Sequence, residues 1–451
     1  MAHHSCAHHR LVIATIGPGR YGTGVGSKSL LGVLPGVARA LGLIVPDGVT
    51  VPDGATVHDG AMVPDEVTAP DVEAPKFPNA QRALIVLCDV LGWHNLDSRK
   101  AHAPYLRRQM PQMQKLTTTF PSTTAAAIPS FGTGKAPGQT GFVGYTVRNP
   151  DDGALVNLVP WTHNLDPTIV ATPVGNSQAP KFSIPPTRYQ PSKTVFQLLI
   201  EAGVPVTNVG SAKFAGSGLS TAAFGKTGYA VAETPKDRID AVLRQLRKFA
   251  DKQLVYLYWG DLDKIGHQFG PDSNEWADAL TDFDAAFQRL VTEAPRGTLI
   301  VLTADHGQIT PDPAQQIDVA TTPALAEGVA LVAGEARAVH VYLTTAPGFR
   351  LRAIDRATAQ PPEIEAAAAR WRNYLGDKAQ MWTRAEALQA KIFGPVRPEV
   401  EPWIGDLVVA PTGVVTIVDS RTQTANSLTL KGVHGSLTPT EMEIPLLAIV
   451  T

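Results

Sequence analysis

Three short apolar runs do most to fix what this chain can fold into: ALIVLC at 83–88, LVYLYW at 254–259 and TLIVLT at 298–303. Each has the length of a strand, and in none do apolar and polar residues alternate. A strand with one wet face alternates. One covered on both faces does not, and such strands belong to parallel sheets sandwiched between helices. Helical stretches lie between the runs. The stretch 192–202 opens on Ser192, a residue able to cap, and stops at Gly203. Stretches 237–252 and 274–294 carry apolar residues at three- and four-residue spacing. Strands interleaved with helices predict an α/β protein with a doubly wound, mostly parallel sheet flanked by helices.

Each apolar run ends in acid. Asp89 follows the first, Asp261 and Asp263 the second, and Asp305 with His306 the third. Ligands of open α/β sheets bind beyond the carboxyl ends of the strands, so three strands deliver carboxylates to one edge. His267 comes four residues after Asp263, with Gly266 expected to ease the chain between them, and Gly307 after His306 is expected to permit a tight turn. His434 stands between Gly432 and Gly435 near the C-terminal end. Three Asp and three His form a mixed nitrogen and oxygen set suited to zinc. The charge balance agrees: 39 basic against 41 acidic residues give a net charge of -2. Nothing there favours a nucleic-acid polymer or an anionic membrane as partner. A site for anions on such a chain needs a local source of positive charge, which metal ions supply.

A hydroxyl cluster, Ser122, Thr123 and Thr124, leads into the Ala-rich stretch 125–127. A helix starting there offers free N–H groups and a positive dipole end to a phosphoryl group. A hydroxyl is a weak nucleophile at neutral pH, and coordination to a metal activates it. On residue type alone any of the three hydroxyls serves, and Asp261 competes with Asp263. His94, His102, His163 and His340 sit in no such pattern and read as surface or core histidines.

The segments FPSTT…GTG (120–134), DKIGHQFGP (263–271), TADHG (303–307) and GVHG (432–435), in this order, resemble the motifs of type I phosphodiesterases and nucleotide pyrophosphatases, a branch of the alkaline-phosphatase superfamily. The resemblance runs from Ala83 to Val450. The flanking GFVGYTV and GSLTPTEMEIPLL resemble bacterial members known only as alkaline-phosphatase-family proteins. The resemblance implies a two-zinc site, although Asp/His sets also take Mn²⁺. Carried over by motif, Asp263, His267 and His434 hold one metal; Asp89, Asp305, His306 and the Thr124 hydroxyl hold the other. The D-x-x-G-H spacing selects Asp263 over Asp261, and motif alignment selects Thr124 as nucleophile. The implied activity is hydrolysis of a small phosphate ester, in particular of a nucleotide or other phosphodiester, through a phospho-threonine. Two departures from the family stand out. Ala127 occupies the position of an Asn that donates to phosphate, leaving Lys135, Lys213 or a backbone N–H to replace it, and Val90 follows Asp89 where many members have Gly. Substrate-binding residues are otherwise not identified.

The rest of the chain is divided accordingly. Residues 1–80 are expected to hold a helix over 27–43 and a Pro/Asp/Gly-rich extension over 46–80, surface-laid or mobile. The catalytic domain is expected over 81–451, with a small lid-like subdomain inserted within 317–431, a stretch also expected to return to the sheet. No leader or bilayer-length apolar segment is recognised, and Cys6 and Cys88 require no oxidising compartment, which makes the cytoplasm the default location. Oligomeric state is not legible. The rival readings are a phosphomonoesterase or phosphonate hydrolase on the same metals, a phosphoglycerate-mutase-type transferase, and a non-catalytic metal-binding relative. A sulfatase is disfavoured because no Cys-x-Pro-x-Arg segment is present.

Overall fold

The three apolar runs become adjacent strands at the centre of one sheet. The computed structural model describes residues 28–43, 72–164, 180–249, 251–343 and 362–451. Its large sheet has seven strands: β1 (Arg82–Cys88), β2 (Gln114–Thr117), β3 (Val206–Gly210), β4 (Gly228–Val231), β5 (Gln253–Trp259), β6 (Thr298–Thr303) and β7 (Glu443–Val450). They lie in the order β2-β7-β6-β1-β5-β3-β4. The five from β6 to β4 run parallel, and β7 is antiparallel to both its neighbours, β6 and β2. Cys88 pairs with Trp259 and Leu87 with Thr303, so the acidic ends of β1, β5 and β6 emerge side by side. Every residue of β6 is buried, as its unbroken apolar pattern requires. Each Leu, Ile or Val sealed there contributes about 1.5–3 kcal/mol relative to exposure.

Helices cover both faces. Val195–Glu201 starts later than the sequence suggested: Thr194, not Ser192, accepts from the backbone of Gln197 while Gln197 reaches back, a capping box. Pro235–Leu246 begins two residues earlier than 237, behind the Thr234 cap, and ends well short of 252. Asn274–Glu293 follows its Ser273 cap closely to expectation. At the N-terminal side Leu30–Gly32 forms a 3₁₀ turn that continues into the helix Val33–Ala40, whose apolar residues are part of the main core. The backbone of residues 73–75 lies across this helix. A Cβ at Gly32 would come within 2.7 Å of the Glu73 carbonyl oxygen, and one at Gly36 within 2.5 Å of that of Pro75. Residues 46–71 of the Pro/Asp/Gly-rich extension and the His-rich start with Cys6 lie outside the described residues. Cys88 is buried and in no disulfide.

A second, antiparallel sheet of four strands is built from Val329–Glu335, Ala338–Leu343, Leu407–Pro411 and Ala379–Thr383. The helix Pro362–Leu375 packs on it through Trp371 and Leu375 in a separate apolar cluster. Among the described residues, nothing within 317–431 joins the large sheet. The chain returns to it only at β7, whose apolar segment Ile444–Leu447 fills the gap between β6 and β2. A three-stranded ribbon over 146–164 hooks onto the second sheet where the Thr146 hydroxyl and Gly334 exchange hydrogen bonds at 2.9 Å.

Candidate active site

Sheet topology alone brings the distant motifs together at one edge. The N–H of Asp89 donates to the Trp259 carbonyl across the strand ends (2.9 Å). The next residue, Val90, turns the chain with φ of 65°, a conformation costly for a β-branched side chain and open to glycine. That backbone explains why glycine suits the position in relatives. Beyond β5, Asp263 and His267 sit four apart on the helix Asp261–Phe269, hence on one face. Asp261 is turned away: Arg238 grips its carboxylate at 2.6 and 3.3 Å. Beyond β6 come Asp305 and His306. The His434 loop is fastened to this edge by mutual hydrogen bonds of 2.9 Å between Ile309 and Val433.

Two groups of potential metal ligands result: Asp263, His267 and His434, and Asp89, Asp305 and His306. Within each, the ligand atoms lie within 4.8 Å of one another. The groups adjoin, since the His306 and His434 rings stack with centroids 3.9 Å apart. All three imidazoles are held alike. Nδ1 of His267 faces the Gly432 carbonyl at 2.8 Å, that of His306 the Gly307 carbonyl at 3.1 Å, and that of His434 the Ser122 carbonyl at 3.1 Å. Only a donor can face a carbonyl oxygen, so each Nδ1 carries a proton and Nε2 is the nitrogen left to bind a cation. Those Nε2 atoms point at carboxylates, His267 at Asp263 (3.1 Å) and His306 at Asp89 (3.5 Å) and Asp305 (3.6 Å).

The carboxylates supply the test of whether cations fit. Oδ1 of Asp89 and Oδ2 of Asp305 are buried with no hydrogen-bond partner among the described residues, and Oδ1 of Asp263 faces the Nε2 atoms of His267 (3.1 Å) and His434 (3.8 Å). A buried anionic oxygen without a partner is costly, and a divalent cation is the partner that these carboxylates and three imidazoles jointly suit. Burial, with Asp305 and Asp263 nearby, pushes the Asp89 carboxyl well above its usual range. Burial lowers the His267 imidazole, but the adjoining Asp263 carboxylate outweighs it and brings it to about 9. Burial and the two neighbouring histidines hold His434 well below 6.5.

The hydroxyl cluster is separated just as clearly. Ser122 is committed, its N–H to the Gly435 carbonyl (3.0 Å) and its hydroxyl to that of Ser436 (2.7 Å). Thr123 is buried at the cap position of the helix Thr124–Thr133. Thr124, first residue of that helix, sets its hydroxyl 3.1 Å from Nε2 of His306 and 3.4 Å from the Asp89 carboxylate. Ala127 is buried on the same helix and offers no side-chain donor. The four other described histidines join neither ligand group. His94 pairs with Glu443, His163 faces the Lys181 carbonyl, His102 is exposed, and His340 is in the core.

Three residues at the site carry no local sequence signal. The Tyr258 hydroxyl donates to Asp89. Glu335, at the end of its strand in the second sheet, brings a carboxylate to 3.7 Å from Nδ1 of His434, and its Oε1 is buried without a partner. Gln308, two residues after His306, is fully buried between the Asp263 helix and the His434 loop. Spacing could not find them, because each meets its partner only through tertiary pairing.

The family model for type I phosphodiesterase / nucleotide pyrophosphatase matches residues 83–437. The structure is similar to murine ectonucleotide pyrophosphatase / phosphodiesterase 5, with TM-score 0.58 and 14% identity over 82% of this chain and 88% of that one. A further structure of the murine protein is a complex with AMP. Phosphonoacetate hydrolase from Sinorhizobium meliloti 1021, in complex with phosphonoformate, is similar with TM-score 0.57 and 20% identity over 86% of this chain and 94% of that one. Phosphopentomutase of Kosmotoga olearia is 32% identical over 127 residues, 28% of this chain and 30% of its own length. The chain thus spans about a third of the length of the curated relatives it matches. With the family motifs gathered at one sheet edge, the chain belongs to the type I phosphodiesterase / nucleotide pyrophosphatase family and has an alkaline-phosphatase-like fold.

Proposed function

We propose that this chain is a hydrolase that cleaves phosphodiesters of the nucleotide-pyrophosphatase type through a phospho-threonine at Thr124, with two divalent cations, zinc or manganese, held by the two Asp/His groups. The observation that carries the reading is the Thr124 hydroxyl at a helix N-terminus, 3.1 Å from Nε2 of His306 and beside partnerless carboxylate oxygens. Bound cations would lower the pKa of a coordinated hydroxyl and neutralise negative charge developing on the ester. Thr124 Oγ1 bonds to phosphorus as the ester oxygen departs in line. Backbone N–H groups of its helix face the non-bridging oxygens. Water then hydrolyses the phospho-threonine and frees the hydroxyl. The three Nδ1 to carbonyl hydrogen bonds keep the imidazoles in the tautomer this needs. Lys213, just past the carboxyl end of β3, lies over the Phe214 ring, which packs edge-on against Tyr258. It is our candidate for the cationic contact that replaces the donor missing at Ala127. That missing donor also supports a second reading, monoester or phosphonate hydrolysis at the same site.

The experiment pairs metal content with hydrolysis of bis-p-nitrophenyl phosphate and p-nitrophenyl phosphate, for wild type and Thr124→Ala. About two metals per chain, faster diester turnover and a loss of about 10³-fold or more in the variant are expected. Faster monoester turnover would shift the substrate to the second reading. Protein that stays metal-free and inactive with zinc supplied would leave only a non-catalytic relative.

A further inference from the structure

Gln308 occupies an unusual place. Its side chain is fully buried, and its carboxamide lies in a gap that two glycines create. Gly266 sits inside the helix Asp261–Phe269, between Asp263 and His267, and its φ is not positive. Backbone freedom is therefore not what it provides there, contrary to the expectation from sequence. A Cβ at Gly266 would lie 1.9 Å from Oε1 of Gln308, 3.0 Å from Cδ and 3.3 Å from Nε2, its three nearest neighbours all belonging to Gln308. A Cβ at Gly432 would lie 2.4 Å from the Gly266 carbonyl oxygen, 2.5 Å from the same Oε1 and 2.7 Å from Cδ. The helix bearing Asp263 and His267 and the loop bearing His434 thus meet at these two glycines, and both pack against one carboxamide.

The backbone of Gln308 is fixed as well. The Asn95 side chain accepts from its N–H (3.0 Å) and donates to its carbonyl (2.8 Å). Nε2 of Gln308 touches Nδ1 of His267 at 3.5 Å, the nitrogen that donates to the Gly432 carbonyl. We propose that Gln308 is a positioning residue for the Asp263, His267 and His434 group, its carboxamide bracing the contact between helix and loop so that the three ligand atoms converge. The inference rests on reading that group as a metal site. Neighbours of metal-ligating residues typically change metal affinity 10–100-fold when replaced.

The test titrates zinc into chelator-treated protein against a chromophoric competitor, with His267→Ala marking the binding step that belongs to this group. Gln308→Ala weakens that step about 10–100-fold and leaves the Asp89, Asp305 and His306 step in place, which also reports that the fold is intact. Gly266→Ala alone weakens the same step, because its methyl collides with the carboxamide. In the Gln308→Ala background the methyl enters vacated space, so Gly266→Ala does no further harm and restores part of the loss. Gln308→Met, similar in length without the polar atoms, keeps near-wild-type affinity. Wild-type binding by Gln308→Ala, or an undiminished Gly266→Ala effect in its background, overturns the proposal. Wild-type protein lacking the step altogether overturns the metal reading itself. Ester preference does not enter this readout, so a monoesterase result would revise the substrate alone.

Discussion

Acid should loosen the second sheet through one histidine. His340 lies in the strand Ala338–Leu343, fully buried. Its Nε2–H donates to the Val143 carbonyl (2.9 Å), and its Nδ1 accepts from the Gly405 N–H (3.0 Å). The ring is therefore neutral, and a second proton on Nδ1 would confront the Gly405 N–H. Burial, opposed by the Val143 carbonyl and assisted by the Arg384 charge, lowers its pKa from 6.5 to about 4. The sign follows from which state binds the proton. In the unfolded chain the imidazole titrates at 6.5, so as pH falls through that value the unfolded state takes a proton the folded state refuses until about 4. Stability from this group is complete above 6.5 and is lost between 6.5 and 4. The loss is about 2 kcal/mol by pH 5 and about 3 kcal/mol by pH 4. Urea unfolding of wild type and His340→Gln at pH 7 and pH 5 measures it. The variant should be less stable at pH 7 but lose about 2 kcal/mol less on acidification, since every other titrating group is common to both. Equal losses would refute the assignment of a neutral, proton-refusing His340.

Two further outcomes follow from the same coordinates. Arg337 and Glu441 are both fully buried and pair at 2.7 and 3.1 Å, and Glu441 also accepts from the Ser436 N–H (3.0 Å), two residues past His434. Arg337→Met should cost about 3–5 kcal/mol, and Arg337→Met with Glu441→Leu should recover much of it, because the penalty is a stranded buried charge; a double variant no better than the single, by urea midpoint, contradicts this. Chelation should abolish ester turnover and lower the melting temperature, and zinc or manganese should restore both. Metal at about 100 times its dissociation constant contributes about 2.7 kcal/mol of stability. Unchanged melting and turnover in excess chelator would exclude a resident metal.

What could be read from the sequence was what a short window contains. An unbroken apolar run is enough to identify β1, β5 and β6 as doubly covered strands, and strand-end acids are enough to locate the site edge. A four-residue interval puts Asp263 and His267 on one helical face whatever the rest of the fold does. The errors arose where windows were ambiguous. Ser192 and Thr194 can both cap, and only the reciprocal partner Gln197 chooses Thr194. Gly266 invited a reading in terms of chain freedom, whereas its function depends on Gln308, 42 positions later. The D-x-x-G-H spacing had chosen Asp263 over Asp261, but what holds Asp261 away, Arg238, lies on a different helix and outside that window. Tyr258 and Asp89 are 169 residues apart in sequence and Gln308 and Asn95 are 213 apart, and no period in the chain encodes either meeting.

The charge of the site bears on how a chain with net charge -2 can take an anionic substrate. Asp89, Asp263 and Asp305 lie together under the sheet edge, with Glu335 a short distance away, and Arg238 is spent on Asp261. Taken alone this cluster repels phosphate, and the Asp89 carboxyl, raised first by burial, is raised further by Asp305 and Asp263. Two divalent cations would reverse it, since four positive charges meet three carboxylates and one alkoxide and leave a nearly neutral floor. An anion could then be attracted by the metals and the helix N-terminus without any basic surface. A neutral floor accepts a singly charged diester at little electrostatic cost, and a dianionic monoester brings its second charge toward Glu335, whose carboxyl burial raises to about 8. Near neutral pH that carboxyl meets phosphate as a hydrogen-bond donor, so the charge of the floor does not by itself choose the diester over its rival.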